Sequence, residues 1–189
     1  MRIIAGRFRG KQLTSPEGDA IRPTADRVRE SVFNILASRL GPGFEGVRVL
    51  DLFAGTGALG LEALSRGAAS VVFVETDAEA RGLIRDHIQA FGVAGTAKLL
   101  RRDATALGPA GTMGPVDLVF LDPPYGKGLG EQALASLRDG NWLTLESLIV
   151  LEEAAETEIS LPPGFVLEDR RIYGAAAIHL ITPAREHQA

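Results

Sequence analysis

The sequence contains no cysteine, which excludes disulfide bonds and thiolate metal sites. Aromatic residues make up only 6% of the 189 residues, and no apolar run approaches the roughly 18 residues of a membrane-spanning helix. The amino terminus has a short apolar stretch followed by arginine, which is not typical of a signal peptide. Three scattered histidines, His87, His179 and His187, lack metal-ligand spacing and are expected to be packed or solvated. These absences predict a cytoplasmic protein with a single core and no metal ion.

The charge of the chain is unevenly distributed. Arg2, Arg7, Arg9 and Lys11 give the first eleven residues a charge of +4, so the remaining 178 residues carry −8 for the chain to total −4. A basic segment on an acidic body is typical of proteins with a polyanionic partner. A solvated surface hairpin without a partner is the alternative interpretation.

Apolar runs that predict strands alternate with segments that predict helices. "RIIAG" and "GKQLTS" predict a short β-hairpin with Gly6 and Gly10 at its bends. A helix capped by Thr24 is expected to end before "GPG" at 41–43. Strands are predicted at 47–53, 70–75, 97–103, 116–122, 147–153, 164–171 and 175–182, helices at 58–67, 77–92 and 130–137, and a flexible loop at 108–115. This alternation predicts an α/β fold whose mostly parallel sheet is covered by helices on both faces.

Four of the predicted strands carry an acid at or near the carboxyl end, namely Asp51, Glu75, Asp103 and Asp122. Because ligands of open α/β sheets bind beyond the carboxyl ends of the strands, these acids predict a ligand site. "GTGALG" at 55–60 follows the first strand and matches the pattern G-x-G-x-x-G, and Glu75 lies 20 residues after Gly55. The glycine pattern alone fits NAD, FAD or S-adenosylmethionine.

Asp51 favours S-adenosylmethionine, because a carboxylate opposes a pyrophosphate but suits ammonium and sulfonium charges. A helix-capping role for Asp51 is the alternative. Glu75 is expected to accept hydrogen bonds from ribose hydroxyls, and Asp103 from the adenine amino group, with the Ala104 N–H reaching a ring nitrogen. The predicted cofactor-binding set is completed by the loop residues Phe53, Ala54, Gly55 and Gly57, whose glycines allow the backbone to approach a ligand closely.

The segment "DPPY" at 122–125 begins at the last residue of the predicted strand 116–122. Residues before proline are extended, and Pro123 and Pro124 lack N–H groups, so nearby carbonyls are free to accept from a ligand. Together with the Asp122 carboxylate they can hold both N–H bonds of an exocyclic amine and direct its lone pair at a methyl group. Tyr125 is expected to stack on the base. A proline turn that simply leaves a strand is the alternative.

"DLFAGTGALGLEALSRGA" and "DPPY" resemble class I S-adenosylmethionine-dependent methyltransferases that act on exocyclic amines. "RIIAGRFRGKQL" and "RPTADRVRESVFNIL" are similar to the RsmD type of 16S rRNA guanine-N2 methyltransferase, over nearly the whole chain. The resemblance implies a Rossmann-like, seven-stranded sheet with an antiparallel last strand, S-adenosylmethionine as cofactor, and 122–125 as the catalytic motif. It also implies a hairpin extension at 1–21 and a methyltransferase domain at 22–189.

The same resemblance implies a substrate, a guanine in 16S rRNA of the small ribosomal subunit or of its assembly intermediate. A monomer is expected. Asn34 is expected to contact the methionine end of the cofactor, and Phe8 either stacks or anchors the hairpin. Phosphate contacts are expected from Arg2, Arg7, Arg9, Lys11, Arg22 and Arg27, extended by Arg29. The alternatives are methylation of adenine N6 or cytosine N4, a non-catalytic RNA-binding assembly factor, and a nicotinamide-dependent oxidoreductase, in which "DPPY" has no role.

Overall fold

The computed structural model describes residues 1–16 and 23–185, which form an α/β protein. The elements are α1 (Pro23–Leu40), β1 (Arg48–Leu52), α2 (Ala58–Ser65), β2 (Ser70–Val74), α3 (Ala78–Phe91), β3 (Ala97–Leu100), β4 (Val116–Leu121), α4 (Leu129–Asp139), β5 (Leu143–Ala154), β6 (Phe165–Tyr173) and β7 (Ala176–Pro183). The strands form a seven-stranded sheet in the order β3-β2-β1-β4-β5-β7-β6. In this described part of the chain, no helix is long and apolar enough to cross a membrane.

Strand directions follow from the connections between the strands. β1 pairs parallel with β2, β2 with β3, and β4 with β5, and the two strands of each pair are connected by a helix, α2, α3 and α4 respectively. β7 runs antiparallel to β5 and to β6. The short turn between β6 and β7 contains Gly174 at φ 61, which suits a tight reversal. The predicted mostly parallel sheet with an antiparallel last strand is confirmed.

The chain divides into two compact units, Met1–Arg101 and Arg102–Ala189. In the first unit α2 packs closely on β2, because it carries Gly60 at the contact. A Cβ on Gly60 would lie 2.5 Å from Cε1 of Phe73 and 2.8 Å from Cγ1 of Val71. The last glycine of "GTGALG" therefore serves helix–strand packing. The expected boundary after residue 21 lies outside the described residues and stays a prediction.

The N-terminal arm (residues 1–16) is a fixed part of the first unit. Arg2 and Gln12 form a single antiparallel bridge, and Gly6 and Gly10 adopt φ of 83° and 84° at the predicted bends. α2 holds the arm through hydrogen bonds. The Ile4 and Ala5 N–H groups donate to Glu62 at 2.9 and 3.0 Å, and the Phe8 N–H donates to Ser65 Oγ at 3.0 Å. The hairpin is therefore shorter than two full strands but tied to the helix that follows the glycine loop.

Two local expectations are wrong. α1 begins at Pro23, so Thr24 lies within the first turn and is not the cap; proline suits the first position because the N–H that it lacks would have no helical partner. The segment 108–115 contains the 3₁₀ helix Gly111–Met113 and is not a flexible loop. It is held because the buried Trp142 donates its indole N–H to the Gly108 carbonyl at 2.9 Å, and a buried indole needs such an acceptor.

Candidate active site

The glycine loop between β1 and α2 has an unusual backbone. Phe53, Gly55 and Gly57 adopt φ of 56°, 57° and 79°. A bulky aromatic residue in this region is strained, and such strain is typical of functional sites. A Cβ built on Gly55 would meet no atom within 4 Å, so the backbone there is open to a ligand. The loop therefore fits a cofactor that must be approached closely by the backbone.

Glu75 follows β2 and contacts this loop through the Gly55 N–H group. One carboxylate oxygen, Oε2, accepts from the Gly55 N–H at 2.8 Å, and Oε1 accepts from the Asp77 N–H at 2.9 Å. Asp77 itself caps α3 by accepting from the Ala80 N–H at 2.8 Å. Each Glu75 oxygen keeps a further lone pair, so the residue can still accept from ribose hydroxyls.

Asp51 lies at the end of β1 and is 1% exposed. Its Oδ2 accepts from the Gly60 N–H at 3.0 Å, in the first turn of α2, where amides have no helical partner. The structure thus shows Asp51 in the helix-capping role that was the alternative interpretation. Its contact with a cofactor stays a prediction, as does that of Asn34, which is exposed on α1, and of the buried Ala54.

Asp103 and Ala104 belong to the second unit. Asp103 Oδ1 accepts from the Thr105 hydroxyl at 2.7 Å and from the Thr105 N–H at 2.8 Å. These hydrogen bonds hold the pKa of Asp103 below its ordinary value, and the bond from the hydroxyl has the larger effect. The side chain therefore stays an ionised acceptor. Ala104 is buried. Recognition of adenine by these two residues stays a prediction.

The "DPPY" segment leaves β4 and is fixed to β5. The Tyr125 hydroxyl donates to Glu152, and the Gly126 N–H donates to the buried Glu153 at 2.9 Å. Pro123 is buried, whereas Pro124 is exposed. Tyr125 keeps 42% of its surface exposed although its hydroxyl is hydrogen-bonded to Glu152. The segment is therefore a rigid platform and not a loose turn.

Asp122 and Glu152 are neighbours in this platform. The register pairs Leu121 with Leu151, so the next positions along the parallel strands are Asp122 and Glu152, on the same face. Asp122 keeps accessible surface, but surrounding protein atoms reduce the hydration of its carboxylate, and this desolvation and then the charge of Glu152 raise its pKa. Desolvation and the hydrogen bond to Glu152 also raise the pKa of Tyr125, which therefore stays protonated at neutral pH.

Sequence reasoning missed Glu152 and Glu153. It considered acids after four strands and did not treat the end of the fifth, "SLIVLEE", as part of the site. The rule that found Asp122 would have found both residues, because β5 is parallel to β4 and carries them near its carboxyl end.

His87 was expected to be a packed or solvated histidine, and it is buried. Its Nε2 accepts from the Thr14 N–H at 2.9 Å, so its Nδ1 carries the proton and donates to the Thr56 carbonyl at 2.9 Å. The imidazole thus connects the N-terminal arm to the glycine loop. No pattern in the sequence indicates this connection, because the three residues are far apart along the chain.

The cations of the N-terminal arm are accessible. Arg2, Arg7, Arg9 and Lys11 are exposed, as is Arg27 on α1. Phe8 packs on Phe91 of α3 with ring centroids 5.1 Å apart, and the Lys11 ammonium lies 4.9 Å from the Phe91 ring. Phe8 therefore anchors the arm, which was one of the two roles left open for it. Phosphate contacts by these cations stay a prediction.

Arg29 does not extend this basic surface. It is 5% exposed, lies 3.1 Å from Asp26, and donates to the Arg2 carbonyl. Within the first unit, its guanidinium also lies 3.9 Å from the buried Glu62 carboxylate, with which it forms an ion pair. Arg22, another predicted phosphate contact, lies outside the described residues.

The fold and these features define a class, the Rossmann-like methyltransferases. The family model described as conserved hypothetical protein 95 matches residues 1–182. The chain belongs to this family, and the resemblance to RsmD-type methyltransferases that the sequence indicated is confirmed.

Similar proteins agree with this assignment. The chain is 40% identical over 183 residues to ribosomal RNA small subunit methyltransferase D of Escherichia coli K12, which covers 95% of this chain and 88% of that protein. The solved structure of the Escherichia coli protein YhhF matches with a TM-score of 0.81 at 36% identity, over 97% of both chains. A more distant relative is the tRNA (guanine(6)-N2)-methyltransferase of Thermus thermophilus, 32% identical over 190 residues, 91% of this chain and 54% of that protein. This protein is therefore a methyltransferase.

Proposed function

We propose that this protein transfers a methyl group from S-adenosylmethionine to the exocyclic 2-amino group of a guanine in 16S rRNA. Membership of the family and 40% identity to a small-subunit rRNA methyltransferase support rRNA as substrate. The name of the more distant relative supports guanine N2. The substrate is the small ribosomal subunit or its assembly intermediate in the cytoplasm, and the enzyme acts as a monomer. The observation that carries this proposal is the "DPPY" platform, with Tyr125 half-exposed and fixed to Glu152.

The cofactor-binding residues are those that the sequence singled out. The open backbone at Gly55 and the remaining lone pairs of Glu75 fit a ribose and a methionine chain, and Asp103 is an ionised acceptor for the adenine amino group. Phe53, Ala54 and Gly57 shape the loop, Asp51 offers a negative charge, and Ala104 offers its N–H. S-adenosylmethionine, when bound, supplies an electrophilic methyl group.

The remaining chemistry is performed by the platform. The guanine amino nitrogen is a weak nucleophile, because its lone pair is delocalised into the ring. Asp122 and the carbonyl oxygens beside Pro123 and Pro124 accept from its two N–H bonds and turn the lone pair away from conjugation. Tyr125 stacks on the base. With S-adenosylmethionine bound, the nitrogen–methyl bond would form as the methyl–sulfur bond breaks, and the nitrogen would lose one proton to Asp122 or to water.

The exposed cations of the arm position the RNA. Arg2, Arg7, Arg9 and Lys11 contact phosphates, with Arg22 and Arg27 extending the surface. Such contacts are independent of sequence, so they orient the substrate without choosing the base.

The platform mechanism is tested with Asp122→Ala and Tyr125→Ala. Because each removes a group that contacts the reacting base, methyl transfer to unmodified small subunits should fall by about 100-fold or more. Calorimetric titration should show nearly unchanged affinity for S-adenosylmethionine. Glu158→Ala, at an exposed position of the second unit, is the control and should keep full activity. Full activity in either platform variant would contradict the mechanism.

A further inference from the structure

Glu152 lies in β5 beside the "DPPY" platform, and the proposed chemistry does not require it. The register of β4 and β5 places it next to Asp122 on the same face. Its Oε1 accepts from the Tyr125 hydroxyl, which fixes the side chain. The adjacent Glu153 is different, because it is buried and accepts from the Gly126 and Ala154 N–H groups at 2.9 and 2.7 Å. Glu153 therefore binds backbone N–H groups, whereas Glu152 lies beside Asp122, one of the groups proposed to hold the target amine.

The second oxygen of Glu152 is available to a ligand. Within residues 1–16 and 23–185, Oε2 has no hydrogen-bond partner, and the side chain pairs with no cation. The residue is also partly exposed. The same described stretches contain no group of acids and histidines that could hold a metal ion, so Glu152 is not explained as a metal ligand. A carboxylate oxygen that can accept a hydrogen bond therefore remains beside the groups proposed to hold the amine.

The three candidate bases differ next to their amino groups. Guanine carries an N1–H donor beside its 2-amino group, whereas adenine carries the N1 acceptor and cytosine the N3 acceptor at the equivalent place. An ionised carboxylate has only acceptor sites. Beside the platform it would accept from guanine N1–H, but it would face a lone pair on the other two bases. A carboxylate that faces a lone pair, or that is left without a partner, costs binding free energy. The contact therefore favours guanine over adenine and cytosine.

We infer that Glu152 selects guanine, by accepting the N1–H of the base whose 2-amino group is held by Asp122 and the neighbouring carbonyls. The inference rests on the proposed function and adds the residue that chooses the base. Tyr125 fixes the carboxylate through its hydroxyl, in addition to stacking. The basic arm then supplies affinity, and Glu152 supplies base identity.

The test compares two RNAs that both carry a 2-amino group. Small subunits are reconstituted with 16S rRNA that has either guanosine or 2-aminopurine riboside at the methylated position; 2-aminopurine has an N1 acceptor in place of N1–H. The wild-type protein should show kcat/KM about 10- to 100-fold lower on the 2-aminopurine substrate. Glu152→Gln should bring this ratio close to one, because its amide can donate to the N1 of 2-aminopurine.

Two variants serve as controls for selectivity. Glu158→Gln removes the same charge from an exposed position of the same unit and should keep the wild-type ratio. Tyr125→Phe removes the hydroxyl bond but leaves the carboxylate, so it should keep most of the selectivity even where its rate falls. Thermal unfolding of each variant confirms that the fold is intact. Where turnover is too slow to measure, the ratio of dissociation constants for the two RNAs, with S-adenosylhomocysteine bound, gives the same comparison.

The outcomes separate this inference from the proposed function. An unchanged guanine preference in Glu152→Gln overturns the role of Glu152, while formation of N2-methylguanosine by the wild type leaves the proposed function standing. Loss of preference in Tyr125→Phe, with the preference kept in Glu152→Gln, assigns the selection to the tyrosine and also overturns the inference. A wild-type protein that methylates no ribosomal guanine contradicts the proposed function itself.

Discussion

Asp122 has a pKa above the ordinary carboxyl value, because surrounding atoms reduce its hydration and because Glu152 is negatively charged. The folded protein therefore holds this proton more tightly than the unfolded chain does. Stability that is present below the ordinary carboxyl pKa, about 4, is lost as pH rises through the raised pKa. Residues of active sites commonly lower the stability of the folded protein in this way.

We expect Asp122→Asn to be more stable than the wild type at neutral and alkaline pH, because the variant has no charge to desolvate. The difference should shrink as pH falls to about 4, where the wild-type carboxyl is also neutral. Urea unfolding across this pH range measures it. Asp86→Asn, at an exposed position, is the control. A variant less stable than the wild type at alkaline pH would show that the charge of Asp122 is compensated in the folded state.

Two glycines give opposite expectations for the same substitution. Gly60→Ala should destabilise the protein by about 1–3 kcal/mol, because its Cβ would lie 2.5 Å from Phe73 and force the core to shift. Gly82 lies in the interior of α3, and a Cβ added there by Gly82→Ala would meet no atom within 4 Å. This substitution should stabilise the protein by about 0.4–1 kcal/mol, because alanine lowers the conformational entropy of the unfolded chain. Urea unfolding of both variants checks the difference in sign; equal effects would contradict the packing role of Gly60.

Single residues of the site were predictable from the sequence only where one role fits the residue. The sequence placed Gly55 and Glu75 at the same edge of the sheet, and the structure shows them in contact, with the Gly55 N–H 2.8 Å from Glu75 Oε2. Asp51 was ambiguous, because a carboxylate at a strand end can cap the next helix or bind a cation with the same sequence pattern. The burial of Arg29 could not be predicted, because its partner Glu62 lies in a different helix.

At the scale of elements, α2 connects the glycine loop to the N-terminal arm. Glu62 is fully buried and accepts from the arm at Ile4 and Ala5, while Arg66 lies 2.9 Å from its carboxylate. The arm therefore depends on a buried charge for its position.

Glu62→Gln should destabilise the protein by about 3–5 kcal/mol, because it removes a buried negative charge that lies 2.9 Å from Arg66 and 3.9 Å from Arg29. Denaturant unfolding measures the loss, and limited proteolysis of the arm should accelerate. The control is Glu30→Gln, an exposed position on α1, which should stay within about 0.5 kcal/mol of the wild type. Equal stability of the two variants would contradict an arm anchored by Glu62.

Most elements were predictable because apolar runs alternate with amphipathic segments, and each of the seven runs predicted for the sheet formed a strand near its predicted position. The errors have a physical origin in contacts between distant residues. The segment 108–115 is rich in glycine and proline, which indicates a loop, but Trp142 and Gly140 hold it through hydrogen bonds. The position of Glu152 at a strand end was visible in the sequence, but its place beside Asp122 depends on the register of β4 and β5.

At the scale of the whole molecule, a protein of net charge −4 is proposed to bind RNA through a locally basic arm. The triple variant Arg7→Gln, Arg9→Gln and Lys11→Gln should weaken RNA binding and reduce the slope of log affinity against log salt by about 2–3. Filter binding at several salt concentrations measures this. Arg39→Gln, Lys98→Gln and Arg101→Gln remove equal charge at exposed positions outside the arm and should change the slope less. Equal slopes for both triple variants would contradict phosphate contacts by the arm and would indicate that its role is purely structural.

The central claim is that the protein methylates the 2-amino group of a guanine in 16S rRNA. The most direct test is transfer from labelled S-adenosylmethionine to small subunits from cells lacking the protein, to naked 16S rRNA and to duplex DNA, followed by identification of the labelled nucleoside. The account predicts N2-methylguanosine from a ribosomal acceptor. Label confined to DNA, label in an adenine or cytosine nucleoside, or no label despite cofactor binding would contradict it.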